Sequence, residues 1–270
     1  MDHKKCYRYF SSWDYCTEDF ESALQQLKTE RSSLCRQDMI LSDNNAKYVW
    51  RVPLTGDNGQ HFDAVYKICS AKTPWRYMFR YSLPTREAEN YRLFASLGMP
   101  MPRLLAHGDT RKCFILKESY IVVEYIPGTM DGTVFMPDRK MRDDTAAADE
   151  FTKKNFELLA RLHQNQIFHK AFHVRNSLFR HDENGKMEIF WIDVARCRRH
   201  SSKNMKWPIL FDLQTWLQDL RIDEVTGRRY IEYYCSAWKE KDCPWTSEAL
   251  MDALRHFKLR TTSAPRNVFS

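Results

Sequence analysis

Two short stretches carry residues that could do chemistry, FHKAFHVRNSLF at 168–179 and IFWIDVAR at 189–196. The first sets His169, Ala171, His173 and Asn176 along one loop-like segment, and the second ends an apolar run on a single acid, Asp193. Asn176 offers an amide oxygen and Asp193 a carboxylate, the hard oxygen ligands that magnesium takes. Each has a plainer explanation alone, because an Asp at a strand end usually closes a turn or caps a helix. Seventeen residues apart, with strand, turn and strand between them, they form a candidate metal pair.

Phosphoryl transfer asks little covalent chemistry of a protein. Phosphate charge must be neutralised, metal fixed, and the acceptor hydroxyl placed in line and deprotonated. Asn176 and Asp193 resemble the catalytic-loop asparagine and metal-binding aspartate of kinases. The phosphate role predicts a lysine on a strand, and Lys67 sits inside the apolar run DAVYKIC, where a lone ammonium is costly. A lysine snorkelling from a strand edge would look the same in isolation. Its partner carboxylate would be Glu87 or Glu89 on the helix that follows. At 100° per residue these point about 200° apart, so only one can face a sheet. Phase leaves the choice open: Glu87 stacks with Phe94, Glu89 with Leu93 and Leu97.

The elements that must hold these residues change along the chain. TEDFESALQQLKTERSS (17–33) reads as an amphipathic helix with a threonine cap, and 46–54 and 61–69 alternate as a hairpin around TGDNGQ. LPTREAENYRLFASLGMPMP (83–102) reads as a helix capped by Thr85, with an apolar face of Leu93, Phe94 and Leu97, stopped by Gly98 and Pro100. KCFILKES and YIVVEYIPG follow as two strands. Beyond PGTMDGT (127–133) comes a long helix, 145–166, with Phe156, Leu159, Ala160 and His163 on one face. SLFR and KMEIFWID are short strands around the turn HDENG, and three helices follow Trp207. A strand-rich part over 1–127 and a helix-rich part over 128–270 predict an α+β chain of two lobes with a cleft between them.

Of the 270 residues 43% are hydrophobic, enough for a packed core, and no run of 18 apolar residues or signal-like leader occurs. The eight cysteines are scattered singly, which predicts reduced thiols in a cytoplasmic protein. Net charge is +7, suited to an anionic partner. The excess is sharpest at 195–207, with Arg196, Arg198, Arg199, Lys203 and Lys206. A nucleic acid is not expected, because no recognition motif accompanies the charge.

The ordered phrases VYKI, REAENYRLFASLGMPMPRLLAHG, VVEYIPG, LARLHQNQIFHKAFHVRNSLF and WIDVARCR resemble the bacterial lipopolysaccharide kinases. These are protein-kinase-like enzymes that phosphorylate heptose or the sugar acid Kdo in the lipopolysaccharide inner core. The resemblance covers about residues 45–220. It implies a protein-kinase-like fold, ATP and Mg2+ as cofactors, and these roles. Lys67 contacts the nucleotide phosphates, with Glu87, in the REA phrase, orienting it. The backbone of Glu124, Tyr125 and Ile126 reads adenine, and Asn176 and Asp193 hold magnesium. SDNNAKYVW (42–50) takes the phosphate-loop position without a glycine. His169 belongs to the catalytic loop, while His173, Arg196, Arg198 and Arg199 meet the acceptor. The His173 position is also similar to aminoglycoside and choline kinases. A lipid-linked, anionic acceptor would bring the enzyme to the cytoplasmic face of the inner membrane.

The departure is Ala171, at the place of the aspartate that orients and deprotonates the acceptor hydroxyl. Alanine cannot do this, and losing a general base costs about 10²–10⁴ in rate, roughly 3–5.5 kcal/mol of barrier. A deliberate Asp-to-Ala substitution and natural decay both lead here. The intact remainder of the site favours the substitution, with a chain impaired in turnover. The competing classes are a nucleotide-binding pseudokinase scaffold and a small-molecule phosphotransferase.

Overall fold

The computed structural model describes residues 8–44, 47–71, 73–137, 139, 141, 144–201, 204–238 and 243–257. Asn45 and Ala46 of the phosphate-loop stretch, Lys203 of the basic run and Lys258 of the last expected helix lie outside these residues. The chain forms two compact units, Met1–Pro127 and Gly128–Ser270. The first is strand-rich and antiparallel, the second mainly helical.

In the first unit six strands run β1 (Trp13–Cys16), β2 (Ile40–Asn44), β3 (Lys47–Thr55), β4 (His61–Ser70), β5 (Leu104–Lys112) and β6 (Ile115–Glu124). Their order across the sheet is β1-β5-β6-β4-β3-β2. Alternation sends Trp50, Val52 and Leu54 of β3 and Ala64, Tyr66 and Ile68 of β4 to one buried face. Ala23, Leu24 and Leu27 of α1 (Glu21–Thr29) join that face, with Phe20 just ahead of them. The helix expected over 17–33 is therefore shorter, and a separate short helix, α2 (Arg31–Leu34), follows it.

Helix α3 (Leu83–Ser96) packs on β4, β5 and β6. Its cap is Ser82, whose Oγ accepts the Thr85 N–H at 3.2 Å, and not Thr85 as the sequence suggested. The Thr85 hydroxyl donates instead to Asp109. The buried face is Ala88, Tyr91 and Phe94, leaving Leu93 and Leu97 half-buried. Two further expectations change. ILKES and YIVVE are one strand, β6, because the polar KES stays in the ladder with β4, pairing Glu118 with Ser70 and Ser119 with Cys69, while the preceding Lys112 ends β5 and Cys113 and Phe114 form the turn. LLAHGDTRK, not read as a strand from sequence, is β5; its polar His107, Asp109 and Arg111 are all buried.

The second unit is organised by α4 (Thr145–Gln164), capped by Asp144, whose carboxylate accepts the Ala147 N–H. Phe156, Leu159, Ala160 and His163 are all buried, as their spacing predicts. β9 (Ser177–His181) and β10 (Met187–Trp191) form a hairpin that adds β7 (Met130–Asp131), and β8 (Ile167–Phe168) pairs with β11 (Arg198–Arg199). Helices α5 (Lys206–Leu220), α6 (Glu224–Ser236) and α7 (Ser247–His256) complete the unit. Its core is aromatic: Phe172 stacks on Trp216 at 4.6 Å, and Trp216 stacks on Phe151 at 5.4 Å. Gly132 permits a close approach, since a Cβ there would lie 2.5 Å from the Phe151 ring and 2.6 Å from the Val174 carbonyl oxygen. Among the described residues no helix is long and apolar enough to cross a membrane.

Candidate functional site

Lys67 sits in mid-β4, paired with Val49 on one side and Ile121 on the other. Its Nζ lies 2.5 Å from Glu87 Oε2 on α3, with side chains only 11% and 4% exposed. Glu89 faces away, 43% exposed, and meets Arg8 and Arg92. The helix phase left open by the sequence is thus set by Ala88, Tyr91 and Phe94, which turn Glu87 toward the sheet. A buried ion pair contributes little net stability, because desolvation offsets the attraction. What it does supply is an ammonium held at a fixed point.

Asn176 and Asp193 are brought together by the β9–β10 hairpin. The ladder pairs Ser177 with Trp191, and the next step outward is the Ile192 N–H donating to the Asn176 carbonyl at 2.9 Å. The turn holds that register: Asp182 accepts the N–H groups of Asn184 and Lys186, and Gly185 takes the positive φ of 75° that the turn requires. A slip of one residue would put Asn176 and Asp193 out of step. The Asn176 amide is oriented by chemistry. Its Nδ2 is 2.9 Å from the Ala171 carbonyl, which can only accept, so the side-chain oxygen points elsewhere. Asp193 adopts the left-handed conformation, φ 55° and ψ 44°, and its carboxylate makes no capping bond to the turn it begins. That removes the capping explanation. An unusual backbone of this kind is a feature of functional sites.

The loop from His169 to Asn176 is gripped by two acids that sequence reasoning missed. Asp212 of α5 is fully buried; its two oxygens accept the N–H groups of His169 at 2.9 Å and Lys170 at 2.8 Å, and Oδ2 also meets His163 Nε2 at 3.2 Å. Asp219, two helical turns later on the same face, meets the Val174 N–H and His173 Nδ1, each at 3.1 Å. A signal was present. An acid inside the apolar FDLQTWLQDL must have a partner, and its i+7 neighbour shares its face.

His169 is 1% exposed, edge-on to Phe172 and Trp191. Burial lowers its pKa from the usual 6.5 to about 4, against the raising effect of Asp212, so the ring is neutral. It positions the loop from inside. Ala171, expected at the base position, is 7% exposed, and its carbonyl accepts both Asn176 Nδ2 and the His173 N–H.

The other expected residues fall as follows. Glu124 ends β6, with its N–H donating to the Arg103 carbonyl; the Tyr125 N–H donates to Asp63, its ring 4.3 Å from the Arg51 guanidinium; Ile126 is buried. Arg196, Arg198 and Arg199 are exposed, while Ala195 before them and Cys197 among them are buried. β11 fixes the last two arginines opposite Phe168 and Ile167. Lys67 and Glu87 therefore meet within the first unit, and Ala171, Asn176 and Asp193 within the second.

The sequence pattern of the lipopolysaccharide kinase (Kdo/WaaP) family matches residues 67–234. In fold the chain is similar to WaaP solved in complex with acyl carrier protein, with a TM-score of 0.58 and 16% identity over 90% of this chain and 92% of that one. At that identity the likeness concerns the fold. No curated protein matches the chain in sequence.

Proposed function

Since the chain belongs to the lipopolysaccharide kinase (Kdo/WaaP) family, we propose that it is built to transfer the γ-phosphoryl group of ATP to a sugar hydroxyl, heptose or Kdo, of the lipopolysaccharide inner core. The observation that carries this reading is the buried Lys67–Glu87 pair, an ammonium held at fixed position inside a sheet. Lys67 would neutralise nucleotide phosphate, and the backbone of Glu124, Tyr125 and Ile126 would receive adenine. Asn176 and Asp193 would hold a magnesium ion, since an amide oxygen and a carboxylate are the hard ligands it takes and the hairpin sets their two backbones at adjacent register positions. Magnesium bound there would offset the charge of the transferred phosphoryl group. Arg196, Arg198 and Arg199, with His173 held by Asp219, would meet an anionic, lipid-linked acceptor at the cytoplasmic face of the inner membrane.

Ala171 supplies no base, so the chain as it stands would bind nucleotide and turn over slowly. Replacing it tests the reading. An Ala171→Asp variant is expected to raise phosphoryl transfer to a core oligosaccharide by about 10²–10⁴, the range for a positioned base. The gain should appear in kcat with little change in ATP affinity, because the carboxylate acts on the acceptor hydroxyl. Ala171 itself also favours a second reading, a nucleotide-binding scaffold without transfer. If Ala171→Asp binds ATP with magnesium yet phosphorylates no core sugar or small alcohol, that second reading stands and the kinase reading falls.

A further inference from the structure

Six aromatic side chains are exposed among the described residues, and four of them, Phe10, Trp75, Phe79 and Phe114, gather in one region of the strand-rich unit. There the segment between β4 and α3 meets the β5–β6 turn. Phe10 is edge-on to Phe114 at 4.9 Å and to Phe79 at 6.5 Å. Trp75 and Phe79, in the same short segment, are 66% and 67% exposed. Exposed apolar residues scattered singly need no explanation, but a cluster of this kind marks an interaction surface.

The cluster is built, not incidental. Arg111, its side chain fully buried, pairs with Asp109 at 2.8 Å. The same guanidinium donates to the carbonyls of Tyr77 at 2.9 Å, Arg80 at 3.4 Å and Phe114 at 3.4 Å. Asp109 is held in turn by the hydroxyls of Ser82 at 2.6 Å and Thr85 at 3.1 Å. One buried ion pair thus ties the Trp75–Phe79 segment to the β5–β6 turn. That turn places Cys113 and Phe114 at φ 48° and 68°, a left-handed backbone that non-glycine residues avoid. The strained turn carries an exposed phenylalanine to its tip.

The charge around the rings has one sign. Residues 71–86 contain Lys72, Arg76, Arg80 and Arg86 and no acid, and residues 110–117 contain Arg111, Lys112 and Lys117 and no acid. Arg111 is neutralised by Asp109, but Arg76, Arg80, Lys112 and Lys117 are exposed. Aromatic rings interleaved with outward cations suit the headgroup level of an anionic bilayer, where rings lie at the polar–apolar boundary and cations meet lipid phosphate. We propose that this face, centred on Trp75, Phe79 and Phe114 and ringed by Arg76, Arg80, Lys112 and Lys117, docks the protein on an anionic phospholipid surface. It deepens the lipid-linked acceptor of the proposed function, and rests on that reading for its purpose but not for its chemistry.

The full chain is sedimented with vesicles of phosphatidylcholine, alone or mixed with phosphatidylglycerol, without nucleotide or acceptor. Binding is expected to favour the mixed vesicles and to weaken with added salt. Arg76→Ala with Arg80→Ala should lower partitioning about 30-fold, at the usual contribution of each cation near an anionic surface. Trp75→Ala with Phe79→Ala should lower it at every salt concentration. All four side chains are exposed, and an unchanged melting temperature verifies the fold. In the Ala171→Asp background, phosphorylation of a water-soluble, deacylated core oligosaccharide should be the same with and without these substitutions. No binding to mixed vesicles, or equal binding by all variants, overturns the proposal. Vesicle binding with no ATP binding would leave it standing while the kinase reading fails.

Discussion

A buried ammonium is stable only while its carboxylate stays beside it, and Lys67 and Glu87 each leave the other exposed to that constraint. Replacing the lysine by Met removes the charge that would meet phosphate, while Glu87 can take up a proton. Lys67→Met is therefore expected to weaken ATP affinity by tenfold or more, about 1.4 kcal/mol or above, with the fold retained. Calorimetry showing unchanged affinity would confine Lys67 to a structural pairing with Glu87. His169 makes a second residue-level case. Burial lowers its pKa to about 4 against the raising effect of Asp212, and His107 is lowered to about 3 by burial and the Arg92 and Arg8 guanidiniums. The unfolded chain thus binds these protons from about pH 6.5 downward while the folded chain refuses them. The stability that their neutrality contributes is complete above pH 6.5 and is lost as pH falls toward 4. Between pH 6.5 and 5, above most carboxylate titration, His169 alone should account for about 2 kcal/mol. Denaturant midpoints across that range should fall less steeply in His169→Phe, and an identical slope would show that the ring does not sense the pH.

At the scale of elements, α5 anchors the loop from His169 to Asn176. Asp212 accepts two successive loop N–H groups, and Asp219 a third together with His173. Asp212→Ala would strand buried donors and leave the loop without its anchor. It is expected to cost about 3–5 kcal/mol, read as a lower denaturation midpoint, with Asp219→Ala costing less because its side chain is 18% exposed. Equal and small losses for both would mean that the loop is held by its aromatic packing alone. The same scale shows what a single sequence could and could not convey. The hairpins at 47–70 and 177–191 and the helix from 145 are legible because alternation and helical period there coincide with burial. β5 was hidden, since HGD reads as a turn until Arg92 of α3 meets His107 Nε2 and Arg111, two residues on in β5 itself, pairs with Asp109. Glu87 over Glu89 was decided by the burial of Ala88, Tyr91 and Phe94 against the sheet, where helical phase alone left both open. Asn176 and Asp193 were legible as a pair because one hairpin contains both; the acids that anchor their loop lie on a helix more than forty residues beyond His169.

For the molecule as a whole, a net charge of +7 favours anions without choosing among them. Selectivity has to come from where the excess is held. Arg198 and Arg199 are exposed on a strand pinned to Phe168 and Ile167, one residue from the start of the loop that carries Ala171, and Arg198 also lies 5.9 Å from the Phe168 ring. Such charges act at a distance and through salt, unlike the buried Lys67. Replacing both with alanine should weaken binding of a phosphorylated or acidic core sugar by several-fold to about thirtyfold at low ionic strength, since exposed pairs contribute about 0.2–1 kcal/mol each and charge steering adds to them. The loss should shrink toward zero as salt rises and the screening length falls to a few ångströms. ATP affinity should stay where it is, because the proposed phosphate and metal roles fall to Lys67, Asn176 and Asp193. Titration of acceptor and nucleotide at two salt concentrations separates the cases. A loss confined to the acceptor and erased by salt places the two arginines at the acceptor. An equal loss for ATP and acceptor places them at the nucleotide, and no loss at either makes them a solvated surface.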